Sequence, residues 1–158
     1  MRIGHGYDAH RFCRDKQMVL GGTAIDCEFG FLAHSDGDVL IHAVMDALFG
    51  AAGMRDIGAH FPDTDEAYKN ADSRLLLREC ADIVRDAGFA IDYIDVTVIA
   101  QMPKLLPYID TMRNNTAKAA GIDPLRINIK ATTEEKMGFT GRLEGVRVHA
   151  VCLLSELP

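Results

Sequence analysis

Apolar residues along this chain follow two periods. Over residues 2–12, 126–132 and 145–154 they alternate with polar or glycine positions, the period of a half-buried strand. Ile127, Ile129 and Ala131 share one side of the second segment, and Val146, Val148, Ala150 and Cys152 one side of the third. Residues 91–101, rich in Val, Ile and Thr, predict a central strand, and 19–22 a short one turning at Gly21-Gly22. Three segments carry the helical period instead. The first spans 38–52, opened by the capping cluster Ser35-Asp36-Gly37-Asp38 and closed at Gly53. The second runs over 73–87 from a Ser73 cap to Gly88, and the third over 109–120 to Gly121. Residues 30–38 and 55–72 read as loops, the latter broken at Phe61-Pro62-Asp63.

Three helices among four long strands predict an α+β sandwich. The expected form is a mixed four-stranded sheet with helices on one face, in chorismate-mutase-like or ferredoxin-like layering. The final strand is apolar on its second face as well, at Val151 and Leu153. One helical layer covers only one face, so the other is expected to be buried by oligomerisation. At 158 residues with no repeat or linker, positions 1–158 are expected to form one domain.

Composition narrows the function. Apolar residues are 48% and charged residues 25%, which is globular usage. A net charge of −6 argues against nucleic acid as a partner, and a phosphate substrate would need metals to supply positive charge. The four cysteines form no C-x-x-C pair, so reduced core thiols are expected, with Cys80 and Cys152 buried. The N-terminus carries no secretory apolar run, and the most apolar stretch, 39–54, holds His42 and Asp46 and is too short to span a bilayer. A cytoplasmic protein without a membrane partner is expected.

Strand alternation puts Gly4, Gly6, Asp8 and His10 on one face, where Asp8 and His10 can reach one ion; the two glycines are expected to leave open space beside them. On the first helix Asp38, His42 and Asp46 fall at i, i+4 and i+8, a polar stripe among apolar neighbours. A buried polar group without a partner costs roughly 1–3 kcal/mol, so the stripe must be satisfied. Either His42 is a core histidine bonded to Asp38 or Asp46, or it joins Asp8 and His10 as a metal ligand oriented by one of those acids. Two imidazoles and a carboxylate suit Zn²⁺ and leave a fourth position for a substrate oxygen. The loop 33–38, the acid-rich stretches 56–58 and 61–65, and the turn 132–136 each read as a ligand-binding loop or a plain turn.

Taken together, Asp8-x-His10, His34-Ser35-Asp36-Gly37-Asp38, His42, Asp56-Ile57-Gly58, Phe61-Pro62-Asp63-Thr64-Asp65, Ala71-Asp72-Ser73-Arg74, Ile99-Ala100-Gln101-x-Pro103-Lys104, Lys130-Ala131-Thr132-Thr133 and Glu135-Lys136-x-Gly138-Phe139-Thr140-Gly141-Arg142 give a chain that resembles the 2-C-methyl-D-erythritol 2,4-cyclodiphosphate synthase family from about residue 2 to 154. The resemblance implies Zn²⁺ on Asp8, His10 and His42, and a second ion, Mg²⁺ or Mn²⁺, on Glu135 and the substrate phosphates. It implies that His34 and Thr133 hold phosphate and stabilise the transition state, with Ser35 and Thr132 beside them. Asp56 and Gly58 match ribose contacts and Asp63 a methylerythritol contact. Ala100, Lys104, Leu105, Leu106 and Ala131 match a cytosine pocket that in the family belongs to the neighbouring subunit. Ile57, Phe61, Asp65, Gln101, Met102 and Pro103 complete the implied substrate-binding set. Phe139 and Arg142 match positions near a trimer axis where family members can hold an isoprenoid diphosphate.

The implied enzyme is a homotrimer taking a cytidine diphosphate substrate, in the bacterial cytosol or, for a processed plant form, the plastid. It would release CMP as the substrate's 2-phosphate attacks its β-phosphate, a step in isoprenoid biosynthesis. Four positions depart from the pattern: Met102, Met54, Arg55 and Glu134, the last expected to add charge beside the second metal. A metal-dependent phosphohydrolase and a trimeric nucleotide- or prenyl-diphosphate-binding module are the alternatives.

Overall fold

In the computed structural model, which describes residues 1–33, 35–62, 64–68 and 71–157, two long paired strands form the middle of the sheet. They are β1 (Arg2–Cys13) and β7 (Gly145–Glu156), antiparallel over ten paired positions from Arg2↔Leu154 to Arg11↔Gly145. β5 (Phe89–Ile99) pairs antiparallel with β7 on its other side, and β6 (Ile127–Thr132) pairs parallel with β5. β4 (Gly30–Phe31) adds a fifth strand at the β1 edge, giving the order β4-β1-β7-β5-β6. The sheet thus has five strands rather than four; a two-residue strand shows no periodicity. The 19–22 segment lies outside it, since β2 (Met18–Leu20) and β3 (Thr23–Ile25) form their own hairpin about Gly21-Gly22.

The three long helices are α1 (Val39–Ala52), α3 (Ser73–Asp86) and α4 (Ile109–Ala120). Two one-turn helices, α2 (Ile57–His60) and α5 (Gly138–Gly141), were not foreseen. α1 is almost wholly buried and lies across β1 and β7, while α3 and α4 cover β5 and β6. Val148, Val96, Val98 and Ile94 face these helices and are fully buried. On the reverse face Ile3 is 74% exposed, with Tyr7, Tyr93 and Val151 each exposed by more than 40%.

Gly4 and Gly6 do not leave open space. A Cβ at Gly4 would stand 1.9 Å from the Ala47 carbonyl oxygen, and one at Gly6 equally close to that of Ala43. The helix backbone itself rests on β1, and only glycine permits that approach. Gly6→Ala is therefore expected to push α1 away from the sheet, at about 2 kcal/mol or more. A melting temperature within a degree of the parent would contradict it.

Cys80 and Cys152 are buried free thiols, as expected. Burial pushes Cys152 up to about 11 and Cys80 further in the same direction, so both stay protonated at pH 8. A water-soluble disulfide reagent at that pH should reach no thiols but the half-buried Cys13 and Cys27 in the folded protein, and all four in denaturant. Rapid labelling of Cys80 or Cys152 without denaturant would refute this.

Candidate active site

Asp8 and His10 point from β1 toward the N-terminal turn of α1, where His42 meets them. Their ligating atoms lie within 4.8 Å of one another. His42 Nδ1 is 3.1 Å from Asp8 Oδ2, and His10 Nε2 is 3.3 Å from the same oxygen. His10 Nδ1 lies 3.0 Å from the Gly37 carbonyl and donates to it, which leaves Nε2 as the free lone pair toward Asp8. Burial opposes ionisation of Asp8, but the bond from His42 and the fields of both histidines outweigh it, holding the carboxyl below its ordinary range. Burial likewise pulls His10 below its ordinary value. It pulls His42 down too, yet Asp8, with Asp38 and Asp36 behind it, raises that imidazole above its ordinary value. An anionic carboxylate converges with two imidazole nitrogens, and the set fits a divalent metal.

The acids expected to orient His42 do other work. Asp38, fully buried, caps α1 by accepting from Ile41 N at 3.1 Å and pins the β2–β3 turn by accepting from Gly21 N at 2.9 Å and Gly22 N at 2.6 Å. Asp46 accepts from Ile57 N at 2.8 Å and so fastens α2 to α1. The partner of His42 Nε2 is instead Ser73 Oγ, at 3.1 Å, with Ser35 Oγ at 3.3 Å. Ser73 is not the cap of α3: Asp72 is, accepting from Arg74 N, and Ser73 is the first helical residue.

A cavity of about 810 Å³ opens over the three ligands. Ser35, Asp46, Ile57, Gly58, Phe61 and Asp65 line it, and Asp56, at the N-cap of α2, stands exposed beside it. Lys16 is the one lysine or arginine among the described residues of this lining. His34 and Asp63 lie outside the described residues.

The remaining expected residues gather elsewhere. Ala100 N donates to the Thr132 carbonyl at 3.0 Å, and Lys136 N to Gln101 Oε1 at 3.0 Å, which ties the 100–106 loop to the turn after β6. In that loop Leu105 is buried, Lys104 and Leu106 are exposed, and the Met102–Pro103 peptide is cis. Thr133 Oγ1 donates to Glu135 Oε1 at 2.9 Å, both exposed. Ala131 is exposed as well, though it continues the Ile127–Ile129 side of β6. None of these lines the cavity. The sheet order explains why: Asp8, Val148, Val98 and Ala131 form one row, which separates Asp8 from Ala131 by three strand spacings, roughly 14 Å.

Glu134 is not free to charge that turn. Its carboxylate pairs with Arg147 and accepts from Thr140 Oγ1 at 2.5 Å. Phe139 lies under the Arg147 guanidinium at 5.7 Å, and the exposed Arg142 pairs with Glu144 at 2.7 Å.

Residues 1–155 match the model of the YgbB family. The chain belongs to the YgbB family. Within this family it is 56% identical over 154 residues to the 2-C-methyl-D-erythritol 2,4-cyclodiphosphate synthase of Pseudomonas putida (strain W619), covering 98% of each chain. The synthase of the same name from Trichlorobacter lovleyi is 55% identical over the same share. Among solved structures, the bifunctional IspDF from Campylobacter jejuni superposes with a TM-score of 0.95 at 46% identity, over 99% of this chain and 42% of that one. The IspF–CDP complex of Plasmodium falciparum superposes with a TM-score of 0.86 at 32% identity, over 99% and 97%. Among the described residues of this YgbB-family chain, no helix is long and apolar enough to cross a membrane.

Proposed function

We propose that the chain converts 4-diphosphocytidyl-2-C-methyl-D-erythritol 2-phosphate to 2-C-methyl-D-erythritol 2,4-cyclodiphosphate and CMP, a cytosolic step of non-mevalonate isoprenoid biosynthesis. The observation that carries this reading is the Asp8–His10–His42 cluster in the lining of an 810 Å³ cavity, in a chain related over 98% of its length to synthases of that name. Those three residues would hold Zn²⁺, and Glu135 a Mg²⁺ or Mn²⁺ shared with the substrate's phosphates. When bound, the metals supply positive charge at phosphate oxygens that an acidic chain lacks. The protein's own part is alignment: a phosphate monoester is already an ionised nucleophile near neutral pH, so no side chain need form a covalent intermediate. Asp56 and Gly58 would hold the ribose, Asp63 and the Phe61–Asp65 segment the methylerythritol, and Ser35 with His34 the reacting phosphate. Thr132 and Thr133 would meet the diphosphate from the other side.

The cytosine pocket (Ala100, Gln101, Met102, Pro103, Lys104, Leu105, Leu106, Ala131) would come from a neighbouring copy in a homotrimer. Its separation from the cavity within one chain supports that arrangement, and so does the exposed apolar face around Ile3, Tyr7 and Val151. Near the trimer axis, Phe139 and Arg142 would offer an aromatic wall and a cation to an isoprenoid diphosphate.

Incubating the protein with the substrate, Zn²⁺ and Mg²⁺ tests the assignment. CMP and a cyclic diphosphate should each appear mole for mole with substrate loss, with no open-chain bisphosphate, and both should cease on chelation. Open-chain methylerythritol bisphosphate in step with CMP would overturn the cyclase.

A further inference from the structure

We infer that Ser73, held by Asp36, is a positioning residue for the metal site, fixing the His42 ring so that its Nε2 keeps a proton and Nδ1, beside Asp8, is the nitrogen left for the ion. The inference rests on the metal-binding reading above. The hydrogen-bond order follows from proton supply. A serine hydroxyl has one proton, and Ser73 spends it on Asp36: its Oγ donates to Asp36 Oδ1 at 2.5 Å. Asp36 grips the same residue a second time, accepting from Ser73 N at 3.0 Å on Oδ2, and Asp38 N donates to its Oδ1 at 3.2 Å. Ser73 Oγ can therefore only accept from the imidazole that stands 3.1 Å away, and that imidazole must donate from Nε2.

Burial makes the arrangement rigid. Ser73 is fully buried, and the His42 side chain is 12% exposed. Ser73 opens α3 and Asp36 lies just before α1, so the two bonds clip the starts of both helices together around the ring. The ring is held from behind by a carboxylate-polarised hydroxyl, and its other nitrogen is left to the ion. Ser35 Oγ, the next neighbour at 3.3 Å, also accepts from Gly37 N at 3.1 Å and offers a longer, shared contact.

Co²⁺ titration of metal-stripped protein, followed by its visible absorption, tests this without recourse to turnover. Ser73→Ala should weaken Co²⁺ binding about 10- to 100-fold and move the absorption bands, while Ser73→Thr, which keeps the hydroxyl, restores both. Asp36→Asn should give a smaller loss, because a neutral amide oxygen still accepts from Ser73. A residue that merely stabilised the start of α3 would lower the melting temperature of Ser73→Ala and leave affinity and spectrum unchanged. That result overturns the inference. If Ser73→Ala is recovered unfolded, Asp36→Asn decides, and Co²⁺ affinity equal to the parent's overturns it. Failure of the parent protein to take up Co²⁺ would overturn the metal reading itself, and this inference with it.

Discussion

Replacing His42 by alanine is expected to abolish metal retention and lower turnover by about a thousandfold or more, the scale of losing a Lewis acid that supplies several kcal/mol. The fold should survive. α1 is anchored by Val39, Leu40, Ile41, Val44, Met45 and Leu48, all fully buried, and by a cap on Asp38 that His42 does not share. The cavity lining loses one ring, and Asp8 loses one of the two histidines that hold its carboxyl low. Asp8→Ala should behave alike, since its Oδ2 lies within 3.3 Å of both imidazoles and removing it leaves them without a countercharge. Metal content of the purified variants, read by elemental analysis beside circular dichroism, checks both halves. A folded His42→Ala protein with full metal content and parental turnover would refute the ligand assignment.

The second large effect concerns how many chains build one site. Within a chain the β6 end that leads to Thr133 and Glu135 stands three strand spacings from Asp8 and the β5 end that leads to the 100–106 loop two, and none of these residues lines its cavity. If a neighbouring copy supplies them, His42→Ala and Thr133→Ala homotrimers should each be nearly inactive. Trimers reassembled from an equal mixture of the two should then recover about a quarter of parental activity. In a cyclic trimer with random placement, that is the fraction of sites pairing an intact His42 with a neighbour's intact Thr133. A site built within one chain leaves every mixed trimer inactive. Absence of recovery in demonstrably mixed trimers would contradict the shared site.

Strand alternation and the i, i+4 rule are local, and they found the metal cluster: Asp8 and His10 two apart on one strand, His42 on a helix whose other neighbours are apolar. The partners of His42 were not legible, because Ser73 and Asp36 carry the marks of helix starts and nothing local says that two such starts meet. The same limit turned Gly4 and Gly6 into expected open space, when a helix backbone fills it at 1.9 Å from where a Cβ would stand. Sheet order was likewise hidden. β7, last in the chain, lies between β1 and β5, and this puts the 131–135 turn on the far side of the sheet from the Asp8 strand. The short elements β4, α2 and α5 carry too few residues for any period to show. Roles for Thr133, Glu135 and the cytosine-pocket residues came from the family resemblance, since an exposed turn of hydroxyls and acids has no spacing that marks it as more than a turn.

Phosphorus NMR of the complete reaction, run in ¹⁸O-enriched water with Zn²⁺ and Mg²⁺, tests the central claim most directly. Intramolecular attack by the 2-phosphate draws no oxygen from solvent. The account predicts two mutually coupled diphosphate resonances and a CMP signal, none of them showing the ¹⁸O isotope shift. An open-chain phosphate or inorganic phosphate carrying solvent ¹⁸O would mean that water is the nucleophile, and the cyclase assignment would fall.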